Sequence, residues 1–255
     1  MGVSKMHSIR KWIQILGLTL SSITILTLIT SCTPSTPEVS CTQNGSSSLF
    51  ASDFDNDVIA ALPAPSGPLV YGPPGAELNI MGSSGTVEVV NDLDFTSNVL
   101  KITRAMSDTN VEAVIGDIGE GPYDSGPLFV DFLAQGEVIP VNFISGLGFS
   151  IESEKGKSAL FLKLYDNAYH TLGSDGNYTT LSGSYDPNSV HHVRIFLEMD
   201  EKLYAVCIDG EPVQNYTPFL DQDFGELRMA KLIAPPTVTE AFEMVYLIDE
   251  FRIIK

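Results

Sequence analysis

Beyond residue 48 the chain is a succession of short apolar runs separated by turn-forming residues, and none keeps a helical period. The clearest run is Leu147-Gly148-Phe149-Ser150-Ile151-Glu152. Side chains alternate across a strand, so Leu147, Phe149 and Ile151 fall on one face and Ser150 and Glu152 on the other, the pattern of a half-buried strand. Further strands are predicted over 85–90, 98–104, 111–118, 128–134, 159–165, 190–199, 203–209 and 244–254. Asp209-Gly210 supplies the positive-φ pair of a tight hairpin leading into Glu211-Pro212-Val213. Many strands with short loops predict an all-β sandwich or barrel, and no internal repeat is visible.

One apolar segment does not fit this pattern. Trp12 to Ile29 is uncharged, follows Lys5, Arg10 and Lys11, and closes in Leu28-Ile29-Thr30-Ser31-Cys32. A cationic start, an apolar run and small residues before a cut describe an export signal and not a fold element. The segment resembles the bacterial lipoprotein signal, which implies removal of residues 1–31 and lipidation of Cys32. The competing reading is an uncleaved transmembrane helix, because about 20 apolar residues span a bilayer. Ser31 directly before the cysteine, then the Ser, Thr and Pro of 33–40, favour processing. Two or more acyl chains anchor a protein stably where one does not. Thr33 in place of the Asp that marks inner-membrane retention in this family implies the outer membrane where the cell has one. The expected organisation is therefore a signal peptide over 1–31, a lipidated Cys32 with a flexible tether over 32–48, and one domain over 49–255, held at the cell envelope.

Charge narrows the partners. The 255 residues include 14 basic and 32 acidic ones, a net charge of −18, and the predicted leader takes away basic residues but no acid. Such a field repels phosphates and anionic polysaccharides and excludes nucleic acid as a natural partner. A solvated acidic surface is its plain meaning. With Cys32 lipidated, Cys41 and Cys207 remain available for a disulfide, which an exported chain permits. The alternative leaves Cys207, inside the apolar run 203–208, as a small buried hydrophobe.

In the last third, Val190-His191-His192-Val193-Arg194-Ile195 is followed by Leu203-Tyr204-Ala205-Val206-Cys207-Ile208-Asp209-Gly210 and then Leu247-Ile248-Asp249-Glu250-Phe251-Arg252-Ile253. These three segments resemble the laminin-G-like branch of the concanavalin A-like lectin and glucanase domains, which often shows "W-H-H-V", "Y-V-D-G" and "I-D-E-V-R-I" strands in this order. Val190 departs from the family's Trp. The resemblance covers about a quarter of the chain. It implies two curved antiparallel sheets packed as a jelly roll, with the final strand near the first.

Several catalytic patterns fail on inspection. Asp124-Ser125-Gly126-Pro127-Leu128 resembles a trypsin-like nucleophile region, but no His lies between Cys32 and Ser125 to act as its base. Glu198-Met199-Asp200-Glu201 resembles the E-x-D-x-x-E of laminarinase-like jelly rolls, yet Leu203 stands where the last acid belongs. The Q-[IV]-H strand of alginate-lyase-like domains is absent. His191 and His192 are neighbours in a strand, so they project to opposite faces and cannot share one metal. His191 has the parity of Val193, Ile195 and Leu197 and should be hydrogen-bonded and half-buried; His192 should face water.

Two weaker constellations remain. Asp249 has the parity of Val245, Leu247, Phe251 and Ile253, so a carboxylate there needs partners. Backbone amides or an Arg would serve. So would calcium, with Asp53 or Asp55 of the first strand meeting Asp249 of the last, although no EF-hand spacing is present. For glycans, the only tryptophan is Trp12 in the leader, so stacking falls to tyrosine. Tyr165, Tyr169, His170, Tyr178 and Tyr185 lie close in sequence to Asp175 and Asn177, combining aromatic faces with hydrogen-bonding side chains. Loop tyrosines are equally ordinary rim residues. The expected protein is a lipid-anchored, non-catalytic envelope component whose jelly roll binds glycans or a surface partner. A cell-surface polysaccharide lyase or glycoside hydrolase, and a structural component without a small ligand, are the alternatives.

Overall fold

The computed structural model describes residues 38–42, 45, 47–52, 54–55, 59, 77–81, 85–104, 111–116, 123–136, 147–165, 168–181, 186, 189–234 and 244–255. Residues 1–37, with the predicted leader and Cys32, lie outside the described residues, as do Asp53 and Tyr185.

The described residues contain strands and turns without a helix. In chain order the strands are β1 Ser48–Ser52, β2 Glu77–Met81, β3 Gly85–Asp92, β4 Ser97–Arg104 and β5 Val111–Gly116. Next come β6 Pro127–Gly136, β7 Leu147–Ser153, β8 Ser158–Tyr165, β9 Ala168–Leu172 and β10 Tyr178–Thr180. The last are β11 His191–Glu198, β12 Leu203–Ile208, β13 Glu211–Pro218, β14 Leu227–Ala234 and β15 Met244–Ile254. Two antiparallel sheets result. The first runs β13-β12-β11-β6-β15-β4-β3, with β1 also paired to β15; the second runs β10-β9-β8-β7-β14-β5-β2. This is the predicted two-sheet jelly-roll sandwich, and its last strand does lie beside its first.

Inward side chains of both sheets form one core. Phe132 of β6 stacks on Phe251 of β15 with ring centroids 5.6 Å apart, and Phe149 of β7 closes on Phe132 at 5.0 Å from the opposite sheet. Burying each ring contributes about 1.5–3 kcal/mol, so this trio is a main point of cohesion between the layers. Within β7 the alternation holds: Phe149 and Ile151 are buried in the core, and Ser150 and Glu152 lie on the outer face.

The final strand departs from the expected parity. Glu250 adopts a left-handed conformation (φ 48°), and the register slips between Asp249 and Arg252. The extra residue inverts the faces, so Tyr246 and Ile248 point inward before the bulge, Phe251 and Ile253 after it. Val245, Leu247 and Asp249 therefore do not share a face with Phe251 and Ile253. The bulge also divides the neighbours of β15, whose residues 244–248 pair with β4 while 251–254 pair with β1.

The start of the domain also differs from the expected boundary at Leu49. Glu38–Lys255 makes one compact unit, and residues within the predicted tether are docked on the outer face of the first sheet. Val39 packs there with Phe129, Phe196, Ala205 and Cys207, beside Cys41, Tyr216 and Ile254. Cys41 and Cys207 are joined by a disulfide. Arg194 adds a polar clasp: its Nη1 donates to the Cys41 carbonyl at 2.9 Å while Nε and Nη2 form a fork on Asp131, each 2.7 Å long. Composition suggested a tether because the segment is poor in apolar residues. A cross-link and a clasp can hold such a segment against the entropy it retains when free.

Candidate functional site

The docked N-terminal segment covers part of the first sheet's outer face, and the corresponding face of the second sheet carries an aromatic and polar cluster. On β8, Leu160, Leu162 and Leu164 are buried in the core, which turns Phe161 and Lys163 outward. On β9, Tyr169 and Thr171 point inward and His170 outward. The antiparallel register then sets Lys163 opposite His170, and His170 opposite Thr180 of β10. Toward the sheet's centre, Ser150 stands between Phe161 and Lys231.

These neighbours interact. The Phe161 and Tyr178 rings meet edge-on with centroids 6.3 Å apart, and Lys163 Nζ lies 5.2 Å from the Tyr178 centroid. Thr180 Oγ1 and His170 Nδ1 are hydrogen-bonded at 3.2 Å. Glu152 is held by Lys231 at 2.8 Å and accepts from the Ser150 hydroxyl at 3.2 Å. Lys163 is only 6% exposed, and burial pushes its ammonium below the usual lysine range, whereas Tyr178 is 40% exposed. The result is a wet aromatic surface backed by a largely desolvated cation.

Of the residues predicted to form a glycan site, His170 and Tyr178 come together on this face. Tyr165 ends β8, and Asp175 and Asn177 form the β9–β10 turn. There the Asn177 amide and backbone N–H both donate to Asp175, at 2.9 and 3.0 Å, and hold its carboxyl below the usual range. Gly176 permits the turn through a φ of 79°. Tyr169 is excluded from the face: it is 1% exposed, belongs to the core and meets the His191 ring edge-on. Phe161, Lys163, Thr180, Ser150, Glu152 and Lys231 were not foreseen as site residues. Their outward parity was visible in the strand patterns, but the register bringing three strands together was not.

His191 is buried, with Nδ1 2.7 Å from Asp209 Oδ2 and Nε2 2.9 Å from the Asp186 carbonyl. His192 is half-exposed, with Nε2 3.4 Å from Asp131. Burial would raise the Asp131 pKa, but hydrogen bonds from His192 and Arg194 and the Arg194 charge outweigh it and hold the carboxyl low. Glu198 accepts from the Tyr216 hydroxyl and Asp200 from the Gly126 amide, so both acids of the glucanase-like cluster serve local structure.

Of the carboxylates expected to hold calcium, Asp55 and Asp249 are described and lie near enough for their charges to interact, while Asp53 lies outside the described residues. Asp249, 3% exposed, accepts from Ser97 Oγ at 2.6 Å and from the Glu250 amide at 2.7 Å. Burial pushes its pKa up to about 6, aided by the charges of Glu250 and Asp55. Asp55 accepts from the Asn98 backbone N–H at 3.1 Å on its carboxylate and from the Asn98 side-chain amide at 3.0 Å on its carbonyl. Among the described residues no three His, Cys, Asp or Glu side chains gather as a metal site.

No protein-family model and no curated protein matches the chain. Solved structures do share its fold. A carbohydrate esterase from the Shiga toxin-encoding bacteriophage phi24B superimposes with a TM-score of 0.55 at 12% identity, covering 81% of this chain and 97% of that one. A sialidase gives 0.52 at 15% identity over 82% of this chain, which spans about a fifth (19%) of the sialidase's length. An alginate lyase of polysaccharide lyase family 7 gives 0.50 at 13% identity, covering 68% and 83% of the two chains. At these identities the likeness is one of fold, and that fold is the antiparallel two-sheet jelly roll.

Proposed function

We propose that this protein is a lipid-anchored envelope component that binds glycan, without cleaving it, on the outer face of its second sheet. The observation that carries the reading is the Phe161–Tyr178 pair set beside Lys163, His170 and Thr180 on three adjacent strands. Aromatic rings accept the C–H face of a sugar, and the flanking polar groups meet its hydroxyls. Lys163 places a local positive charge on this face, against the net charge of −18 that repels anionic polysaccharides elsewhere on the chain, and so favours a sugar bearing a carboxylate here; Lys231 is engaged by Glu152. Solved domains of this fold named as a sialidase, an alginate lyase and a carbohydrate esterase support a carbohydrate partner. Non-catalytic binding is favoured over hydrolysis because, among the described side chains of this face, Glu152 is tied to Lys231 and no second carboxylate opposes it.

Affinity electrophoresis of the full chain through uronate-containing and neutral polysaccharides tests the reading. Retardation by at least one uronate polymer, abolished in a folded Tyr178→Ala variant, is expected; equal mobility of the two proteins in every polymer refutes it. The anchor is tested by labelling with a fatty acid, which Cys32→Ser should abolish. A second reading, a lyase, draws on His170 and Tyr178 sharing the face as base and acid. Release of unsaturated products from a uronate polymer would establish that reading.

A further inference from the structure

The β9–β10 hairpin has a second side. Away from Tyr178, where the edges of the two sheets part, it roofs a cleft of about 260 Å3. Thr171, Ser174 and Thr179 line one wall, and Tyr204, Gln214 and Thr217 line the other. Tyr204 is buried with its hydroxyl bonded to Thr171, and Gln214 donates to the Thr217 hydroxyl. Pro218 and Phe219 supply an apolar floor, where Phe219 packs edge-on against Phe224 at 5.2 Å. The floor is fixed because the chain leaving β13 crosses to the other sheet: Leu220 N–H donates to the Ala159 carbonyl at 2.8 Å, and Asp221 N–H to Ser158 at 2.9 Å.

We propose that this cleft is a second binding site, separate from the outer face, for a single uncharged sugar ring. None of its lining residues is charged, so a carboxylated sugar would lose its water without gaining a counter-charge. The accessible hydroxyl and amide groups of Ser174 and Thr179 on one wall and Gln214 and Thr217 on the other can give and accept hydrogen bonds from sugar hydroxyls, and exposed Pro218, backed by buried Phe219, takes an apolar ring face. The volume is just below the roughly 300–1,000 Å3 of pockets for drug-sized ligands, which suits one ring and not a chain. The assignment stands on this cleft alone and survives if the outer face binds nothing.

Saturation-transfer NMR on the full chain, with the methyl glycosides of glucose, galactose and mannose as probes, tests it. Wild type should show transfer to at least one probe. Thr179→Trp and Thr217→Trp, which fill the cleft from exposed or half-exposed positions, should each weaken that binding at least about tenfold. Tyr178→Ala, which alters only the outer face, should retain it. Transfer to none of the probes in wild type, or undiminished transfer in a tryptophan variant whose thermal unfolding remains cooperative, overturns the proposal.

Discussion

The Lys163 ammonium lies 5.2 Å from the centroid of the Tyr178 ring, although the two residues belong to strands separated by β9. On that intervening strand the register partner of Lys163 is His170. A cation over an aromatic face contributes about 0.5–1 kcal/mol at exposed sites and more where water is excluded. Lys163 is the buried member of the pair and Tyr178 the exposed one, so the contact orients a ring that solvent and ligands can reach.

Tyr178→Ala should therefore reduce polysaccharide binding at least about tenfold, the equivalent of 1.4 kcal/mol. Its melting temperature should stay close to wild type because Tyr178 adds little to the core. Lys163→Met keeps the apolar stem and removes the charge. It should lose binding to uronate polymers more than to neutral ones, without loss of stability at neutral pH. Comparative affinity electrophoresis and thermal melts measure both effects.

On the opposite sheet, Arg194→Ala should destabilise the fold by about 3 kcal/mol, because it leaves the Asp131 carboxylate buried without its main counter-charge. Asp131→Asn combined with Arg194→Met should cost markedly less. The Asp131 pKa is lowered in the folded state, so its contribution is present above the unfolded carboxylate pKa and is lost as pH falls through the lower folded value. Urea unfolding of the three proteins from neutral to acid pH measures the difference. Equal losses in the single and double variants would rule out this account.

Asp249 has the opposite sign. Its folded pKa is raised from the ordinary carboxylate value of 3.8 to about 6, so its stabilising contribution is complete below the unfolded value and disappears as pH rises through about 6. Asp249→Asn should be more stable than wild type at pH near 7, by on the order of 1 kcal/mol after loss of one accepted hydrogen bond. The advantage should vanish near pH 4, the lower edge of the window. A difference that is independent of pH would exclude Asp249 as the titrating group.

Cys41→Ala with Cys207→Ala should destabilise the domain by about 2–5 kcal/mol, the usual cost of losing a disulfide that closes a long loop. Release of the segment should also bare the Phe129–Phe196 pair, whose rings meet edge-on 5.3 Å apart. Equilibrium unfolding gives the first quantity, and binding of a hydrophobic dye gives the second. An unchanged unfolding midpoint would mean that the clasp alone holds the segment.

Strong alternation made much of the architecture readable. Leu147 to Glu152 announces itself because a strand buried on one face must repeat with a period of two, and 203–208 because a short continuous apolar run fits a strand buried on both faces. The predicted ranges leave out β1, β2, β9, β10 and β14. Tyr178–Thr180 is short and exposed throughout, and so carries no alternation of burial to find. The site was half legible for the same reason. His170 and Tyr178 stood out by residue type, whereas Lys163 and Phe161 looked like ordinary members of a core strand, and Tyr169 looked like a surface aromatic until its parity was set by β8.

The sequence by itself determined the all-β class, the inward faces of the strong strands and the pair of cysteines free to bond, because these depend on residue type and on spacing along one strand. Tertiary structure decided which tyrosine faces water, which lysine meets it, and where the final strand changes face. Those outcomes depend on register between strands distant in sequence and on a single inserted residue at Glu250. A slip of one position inverts every side chain beyond it, and no local pattern records that slip.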